Sequence, residues 1–308
     1  MTVPSQRRPD AVPRPARAAV IGTGVIGQDL VGKIHHSPLL GCALVAGRNP
    51  ESAGLRHAAD LGYPTTAAGI AAVLAEPFDV VFDATNAMAH VEHWRLLQET
   101  DTLLIDLTPS RVGQMVVPTV TGTRAPDVRN VSLISCGGQA STPIAHALAA
   151  RFPVEYLEAV STVASTIAGR ATRLNLDEYV ATTQHALTTF SGVQDTKAIL
   201  NISPAVPPAT FRTAVHAVIQ DADPDAIRAV VADTAEEVRV FAPGYEVTAC
   251  SIAGDRVVVA LEVAAVSAVL PHYAGNLDII DSAAILVAEQ HAARLTAAIG
   301  SVRTEACR

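Results

Sequence analysis

Ala18-Ala19-Val20-Ile21-Gly22-Thr23-Gly24-Val25-Ile26-Gly27 is the stretch that decides the fold. A short aliphatic run reads as a strand, and residues 28–36 continue as a helix. Between them stand three glycines at Gly-x-Gly-x-x-Gly spacing. Gly22 permits a tight turn, Gly24 lets backbone N–H groups approach a pyrophosphate, and Gly27 allows close helix–strand packing. A purely architectural glycine turn is the other reading of the same residues.

The same alternation continues downstream. Residues 43–46 form a second strand and 55–61 a helix. Residues 80–85 and 103–109 are strands ending in small and polar residues, and 131–135 is a further strand. Strands alternating with helices at this pace mean βαβ units and a parallel sheet. The fold class is therefore α/β, with a Rossmann-type parallel-sheet domain over residues 17–135. Ligands of such sheets bind at the strands' carboxyl ends, where Asp83, Thr85, Asp106, Thr108 and Cys136 fall. After that, Thr142 is a suitable N-cap and Pro143 suits the first position of a helix running towards Phe152. Strand-like segments at 156–165, 197–202, 211–218, 245–250 and 257–266, with a helix at 177–192, suggest a mixed or antiparallel sheet. Residues 136–271 are thus read as an α+β catalytic and dimerisation domain. Residues 273–278 read as a loop before a final helix at 282–299, so that 272–308 complete the first domain. The Pro- and Arg-rich residues 1–16 read as a disordered leader.

Composition narrows the function classes. The 308 residues suffice for two domains or one large one with a sizeable core. Hydrophobic residues make up 49% and aromatics 4%, which suits buried parallel strands built from aliphatic side chains. A formal charge of −8 argues against phosphate-backbone binding, so no nucleic-acid partner is expected. Cys42, Cys136, Cys250 and Cys307 form no CxxC and no metal-ligand spacing, the scatter expected of reduced thiols in a cytoplasmic protein. The most apolar late stretch, 257–270, is interrupted by Glu262 and falls short of the roughly 20 residues of a membrane span. His35, His36, His90 and His93 lack carboxylate or cysteine partners at metal spacing, so no metal site is expected.

The chemistry concentrates at two places. A dinucleotide site for NAD carries an acidic residue about 20 positions after the glycine loop, on the ribose hydroxyls. Gly47-Arg48-Asn49 stands there instead. A guanidinium at Arg48 pairs with a 2′-phosphate, which points to NADP ahead of NAD. In the other reading Arg48 faces solvent and Asn49 bonds the ribose. The second place is Ser135-Cys136-Gly137-Gly138-Gln139-Ala140-Ser141-Thr142-Pro143. A thiol is useful when its thiolate is favoured, and the start of a helix favours anions. Gly137 and Gly138 are expected to leave room for a substrate carbonyl, with loop N–H groups holding its oxyanion. The inert buried state, commonest for a free cysteine, is assigned to Cys42, Cys250 and Cys307. A nucleophile and a hydride carrier in one chain suggest one reaction: a thiolate adds to an aldehyde, hydride leaves to a nicotinamide, and a thioester remains. Asp83 and Asp106 read as turn caps. Thr85 and Asn86 read as lining the nicotinamide side. Lys197 and Arg212 read either as CoA-phosphate ligands or as surface residues, and His216 either as a base or as a structural histidine.

Ser135-Cys136-Gly137-Gly138-Gln139-Ala140-Ser141-Thr142-Pro143-Ile144, Val81-Phe82-Asp83-Ala84-Thr85, Asp106-Leu107-Thr108-Pro109 and Ala274-Gly275-Asn276-Leu277-Asp278-Ile279 resemble the CoA-acylating acetaldehyde dehydrogenases of meta-cleavage pathways. The resemblance runs from about Ala18 to His291. It implies conversion of an aldehyde, NAD and coenzyme A to acyl-CoA, and a metal-dependent 4-hydroxy-2-oxoacid aldolase as partner. It implies Cys136 as the acyl-thioester residue. It also implies dinucleotide contacts from Thr23, Gly24, Val25 and Ile26, from the segment Ile167-Ala168-Gly169-Arg170-Ala171-Thr172-Arg173-Leu174-Asn175, and from Asn276.

The chain departs from the family at several points. Of the family's Ser-Ala-Gly-Pro-Gly-Thr-Arg segment only Ala-Gly and Thr-Arg remain, with Ile167 and Arg170 replacing polar and proline positions. Arg212-Thr213 stands where the family carries Arg-Asp, an aspartate that the resemblance implies in thiol activation. Residues 250–259 are shorter than the family's equivalent, which implies a changed pocket or a lost aldolase interface. The leading expectation is an acylating aldehyde dehydrogenase. The alternatives are NADPH-dependent reduction of a bulkier acyl-CoA for a biosynthetic aldolase, a phosphorylating semialdehyde dehydrogenase, and a non-catalytic dinucleotide-binding subunit. A homodimer is the default assembly.

Overall fold

The computed structural model describes residues 14–121, 128–221 and 223–305, apart from the side chains of 170, 171 and 298–305. The leader expected at 1–16 lies mostly outside the described residues, as does Cys307, although Ala16 already opens the first strand. The chain begins with β1 (Ala16–Ile21), α1 (Val25–His36), β2 (Leu40–Ala46), α2 (Ala53–Asp60), β3 (Thr65–Thr66) and α3 (Ile70–Val73). It continues with β4 (Val80–Asp83), α4 (Ala87–Leu97), β5 (Leu103–Asp106), β6 (Gln114–Met115), α5 (Pro118–Thr121) and β7 (Asn130–Ser132). These seven strands form a parallel sheet in the order β3-β2-β1-β4-β5-β7-β6. The order reverses between β1 and β4, which opens a crevice at their carboxyl ends. Every residue of β4 and β5 is buried, because helices cover both faces of a parallel sheet and leave no polar side to alternate with.

The second half comprises α6 (Cys136–Arg151), β8 (Val154–Ala164), α7 (Arg170–Leu174), α8 (Leu176–Ser191), β9 (Asp195–Ser203), β10 (Phe211–Ile219), α9 (Pro224–Arg239), β11 (Tyr245–Ala253) and β12 (Arg256–Val263). Its strands form a mixed five-stranded sheet in the order β11-β12-β10-β8-β9, in which only β8 and β9 pair in parallel. Along β10 burial alternates strictly. Phe211, Thr213, Val215, Ala217 and Ile219 of β10 are buried, while the residues between them face the open side. Phe211, Val215, Ala217 and Ile219 pack with α6 and α9 side chains such as Ile144, Leu148, Ile227 and Val231 in one core cluster. Each such side chain contributes about 1.5–3 kcal/mol through removal from water.

The last helix, α10 (Gly275–Glu305), returns to the first sheet. Ile280, Ala283, Ala284, Val287 and Ala288 join the core formed by Leu30, Val31 and Ile34 of α1, while Ile279 enters the core of the second sheet. One helix therefore fixes the two sheets relative to each other.

Several boundaries differ from the sequence reading. Helix α1 starts at Val25 rather than at residue 28. Helix α6 starts at Cys136, so Thr142 is not an N-cap and Pro143 is not a first helical residue; both sit inside the helix, buried. Ser135 is the cap, its side chain accepting the Gly138 N–H at 2.9 Å. Helix α10 starts at Gly275, not at 282, so most of the loop expected at 273–278 is its first turn. At α6 and α10 a glycine read as loop marks a close approach instead. A Cβ on Gly275 would lie 1.8 Å from the Val263 carbonyl oxygen, so the helix can abut β12 only because that atom is missing.

Candidate active site

The glycine loop closes the crevice from one side. Gly22 has φ +109°, and a Cβ there would lie 2.4 Å from the Ala84 carbonyl oxygen; on Gly27 it would lie 2.0 Å from the Gly22 oxygen. Both positions exclude any side chain. Gly24 differs: a Cβ would meet nothing within 4 Å. Gly24 is also the N-cap of α1 and supplies no side-chain cap. The first N–H groups of α1 therefore stay free, a favourable place for an anion.

Cys136 enters from the other side. It is the first residue of a 16-residue helix, and it lines a cavity of about 410 Å³ together with Gly24, Val25, Ile26 and Thr85. Ile167, Ala168, Gly169, Thr172, Asn175 and Asn276 share that wall. The sulfur donates to the Tyr179 hydroxyl at 3.8 Å. Burial pushes the thiol above its ordinary range, opposed by Tyr179, by the Asn276 side chain and by the Gly137 and Cys136 N–H groups. Burial and the adjacent Cys136 also hold the Tyr179 phenol well above its usual range. Two buried polar atoms on the wall, Asn276 Oδ1 and Thr108 Oγ1, have no partner.

Asn276 is held by the first turn of α10. The Asp278 carboxylate accepts from Lys33 Nζ at 2.7 Å and from the Val266 N–H at 3.0 Å. Behind Thr85 lies a buried cluster. Asp83 accepts from the Thr85 hydroxyl at 2.5 Å and the Thr85 N–H at 3.1 Å. Asp83 also bonds His90 Nδ1 at 2.9 Å and His93 Nδ1 at 2.7 Å. Burial alone would raise the Asp83 carboxyl, but the two histidines hold it well below its usual range. Asp106 accepts from the Thr108 N–H at 2.7 Å and the Ser110 hydroxyl at 2.5 Å. Burial pushes its carboxyl up to about 6, against the pull of His90. Both aspartates cap turns, as their positions suggested. The histidines share a carboxylate that sequence spacing concealed, and among the described residues no group able to hold a metal occurs.

Other expectations need correcting. The space at Gly137 and Gly138 is filled by protein rather than left for a carbonyl. A Cβ on Gly137 would lie 2.1 Å from the Tyr179 hydroxyl and 2.5 Å from Ser161 Oγ, and one on Gly138 would lie 2.6 Å from Ile134 Cδ1. Lys197 and Arg212 pair with Glu158 and Glu262 on the open side of the second sheet. His216 lies on that side too, since strand residues alternate and its neighbours Val215 and Ala217 point into the core. It cannot reach Cys136. Residues 250–259 form the β11–β12 hairpin, beside Ile219. Thr213 lies at the opposite end of β10, roughly 20 Å away along the strand, so the hairpin stands well apart from the cavity.

The remaining candidates divide by position. Gly22, Thr23 and Gly27 shape the loop and do not line the cavity. Arg48 and Asn49 are exposed beyond the end of β2, and Asn49 caps its own turn through the Glu51 N–H at 3.0 Å. Arg173 bonds the Ala168 carbonyl at 2.9 Å, and Leu174 is exposed. The side chains of Arg170 and Ala171 lie outside the described residues. Sequence reasoning missed Tyr179, Ser161 and Leu200. None belongs to a motif, and only the fold carries them to the cavity or its floor.

Comparison with known proteins adds the last observation. The family profile described as prokaryotic acetaldehyde dehydrogenase, dimerisation, matches residues 136–271. A protein named acetaldehyde dehydrogenase from Streptomyces griseus is 71% identical over 288 residues, covering 93% of each chain. One of the same name from Pectobacterium atrosepticum is 46% identical over 279 residues, 89% of this chain and 94% of that one. Another, from Geobacillus stearothermophilus, is 41% identical over 287 residues, 92% and 98% respectively.

Proposed function

Since the chain belongs to the acetaldehyde dehydrogenase family of oxidoreductases, we propose that it is an acylating aldehyde dehydrogenase using a nicotinamide dinucleotide, coenzyme A and a covalent thioester on Cys136. The observation that carries this reading is a single cavity lined by both the Cys136 thiol and the free start of α1 at Gly24.

The residues present fit a dinucleotide. Gly24 offers an unfilled cradle, and the α1 N–H groups would hold the pyrophosphate. Asn276 Oδ1 and Thr108 Oγ1 are orphaned acceptors suited to an amide-bearing ring. Thr85 spends its hydroxyl proton on Asp83, so it faces the cavity as an acceptor. Ile167, Ala168, Gly169, Thr172 and Asn175 would close over the bound group, together with the backbone of the Arg170–Leu174 helix. When bound, the dinucleotide supplies the hydride acceptor. Arg48, exposed at the end of β2, would meet a 2′-phosphate and so favour NADP(H).

Cys136 then performs the covalent chemistry. Its sulfur bonds to the aldehyde carbon as the carbonyl oxygen takes a proton, giving a thiohemiacetal. Loss of hydride from that carbon and a proton from its oxygen leaves a thioester. The thiol of coenzyme A displaces the enzyme sulfur, which regains a proton. Apolar walls from Val25, Ile26, Val163, Leu200 and Ile280 limit water around the thioester. The same steps run backwards from acyl-CoA to aldehyde. An aldolase releasing a small aldehyde is the fitting upstream partner.

A homodimer is supported by the open face of the second sheet. Ile199, Val160, Ala214, Ala260 and Ala249 lie in one register row across all five strands. This small apolar band suits a self-complementary contact. The test of function is CoA-dependent oxidation of aldehydes by wild type and Cys136→Ala. Dinucleotide binding should survive in the variant while acyl-CoA formation disappears. Retained turnover without the thiol would overturn the reading.

A further inference from the structure

Among the described lining residues, the cavity offers no His, Lys, Arg, Asp or Glu; Cys136 and Tyr179 are its only titratable side chains. Within this described lining, the support for an ionised sulfur comes from hydrogen-bond donors. Three kinds of donor reach it: the N–H groups at the start of α6, Asn276 and the Tyr179 hydroxyl. Only the tyrosine has further hydroxyls behind it. Ser161 Oγ is within bonding reach of the phenol, and Ser161 Oγ and Thr213 Oγ1 are 3.0 Å apart on paired strands. Tyr179, Ser161 and Thr213 are all buried.

The placement of this row is heavily determined. Gly137 is the only residue type that admits both the phenol and the Ser161 hydroxyl against α6. Thr183, one turn along α8, donates to the Tyr179 carbonyl at 2.7 Å and meets Ser135 Oγ at 2.6 Å, so the tyrosine's own helix is tied to the cap of the cysteine's helix. Each hydroxyl has one proton. If Thr213 gives its proton to Ser161, and Ser161 to the phenol, the phenol's proton is left for the sulfur. Aligned donors of this kind polarise one another.

We propose that Tyr179 is a further catalytic residue, whose phenolic hydroxyl, ordered from behind by Ser161 and Thr213, donates to the ionised Cys136 sulfur and supports it as the nucleophile. The proposal rests on the reading of Cys136 as the thioester residue. No proton is consumed by the row itself. The thiol proton leaves to solvent when the sulfur ionises, the carbonyl oxygen takes up one proton from solvent once the carbon–sulfur bond has formed, and the three hydroxyls only reorient.

The test is the pH dependence of Cys136 alkylation by iodoacetamide, followed by peptide mapping to separate it from the other cysteines. Wild type is compared with Tyr179→Phe and with the near-isosteric Thr213→Val. In Tyr179→Phe the midpoint should rise by about one pH unit, a tenfold loss of thiolate below the midpoint, while the high-pH plateau rate stays within twofold. Thr213→Val should shift the midpoint the same way by less. A space-filling role alone would leave the midpoint unmoved. An unmoved midpoint in folded Tyr179→Phe overturns the proposal, and if that variant does not fold, an unmoved midpoint in Thr213→Val does so. Failure of the nucleophile reading looks different: wild type would then take up no acyl group on Cys136 at any pH, whatever the midpoints.

Discussion

Gly137→Ala sets two effects of opposite sign against each other. Gly137 is the second residue of α6, and alanine is favoured over glycine in a helix by up to about 1 kcal/mol. On propensity alone the variant would be more stable. The structure predicts the reverse, because the new Cβ would stand 2.1 Å from the Tyr179 hydroxyl and 2.5 Å from Ser161 Oγ. Neither neighbour can step aside, since both are buried. Overpacking of this kind costs about 1–3 kcal/mol, so a net loss of about 1–2 kcal/mol is expected after the propensity gain. Urea denaturation of wild type, Gly137→Ala, Tyr179→Phe and the double variant gives the full cycle. Tyr179→Phe deletes the nearest clashing atom, so the two changes should be non-additive by about 1 kcal/mol, the double variant being more stable than the sum of the singles implies. Two results would refute the reasoning: a Gly137→Ala protein at least as stable as wild type, or additivity within about 0.5 kcal/mol.

Two further predictions concern charge. Asp106 has an ordinary value of 3.8 and is pushed up to about 6 in the fold. Its folded value exceeds its unfolded one, so its contribution to stability is lost as pH rises from about 4 to about 6, by roughly 3 kcal/mol at most. Asp106→Asn keeps an acceptor for the Thr108 N–H and removes this titration. Its stability relative to wild type should therefore improve across that window in chemical denaturation, and a constant difference from pH 4 to pH 7 would contradict the burial argument. For Arg48→Ala, steady-state kinetics should show kcat/KM falling roughly 10–100-fold with NADP(H), the loss of one charge-assisted contact, and little change with NAD(H). An equal effect on both would remove Arg48 from the cofactor site.

How far the sequence could be read depended on whether a feature was local. The strand–glycine–helix pattern of residues 18–36 specified the parallel sheet and its crevice, because three glycines at that spacing between an aliphatic run and a helix form a local signature, whatever each glycine packs against. Gly137, Gly138 and Gly275 were misread as loop because what excludes a side chain at each is a packing contact that no motif spells out: Tyr179 and Ser161 for Gly137, Ile134 for Gly138, and the Val263 carbonyl for Gly275. Cys136 was legible as a candidate from its flanking residues. Tyr179 was not, since it becomes chemically significant only when α8 packs against α6. His216 shows the converse. A lone histidine in a strand looked available to the thiol, and pleating alone directs it to the other face.

The most direct test of the account is the intact mass of the protein after incubation with acyl-CoA thioesters, followed by fragmentation to locate any adduct. A gain of one acyl group confined to Cys136, reversed by added coenzyme A and abolished in Cys136→Ala, is the result predicted. An unmodified Cys136 in protein that still interconverts aldehyde and acyl-CoA would contradict it.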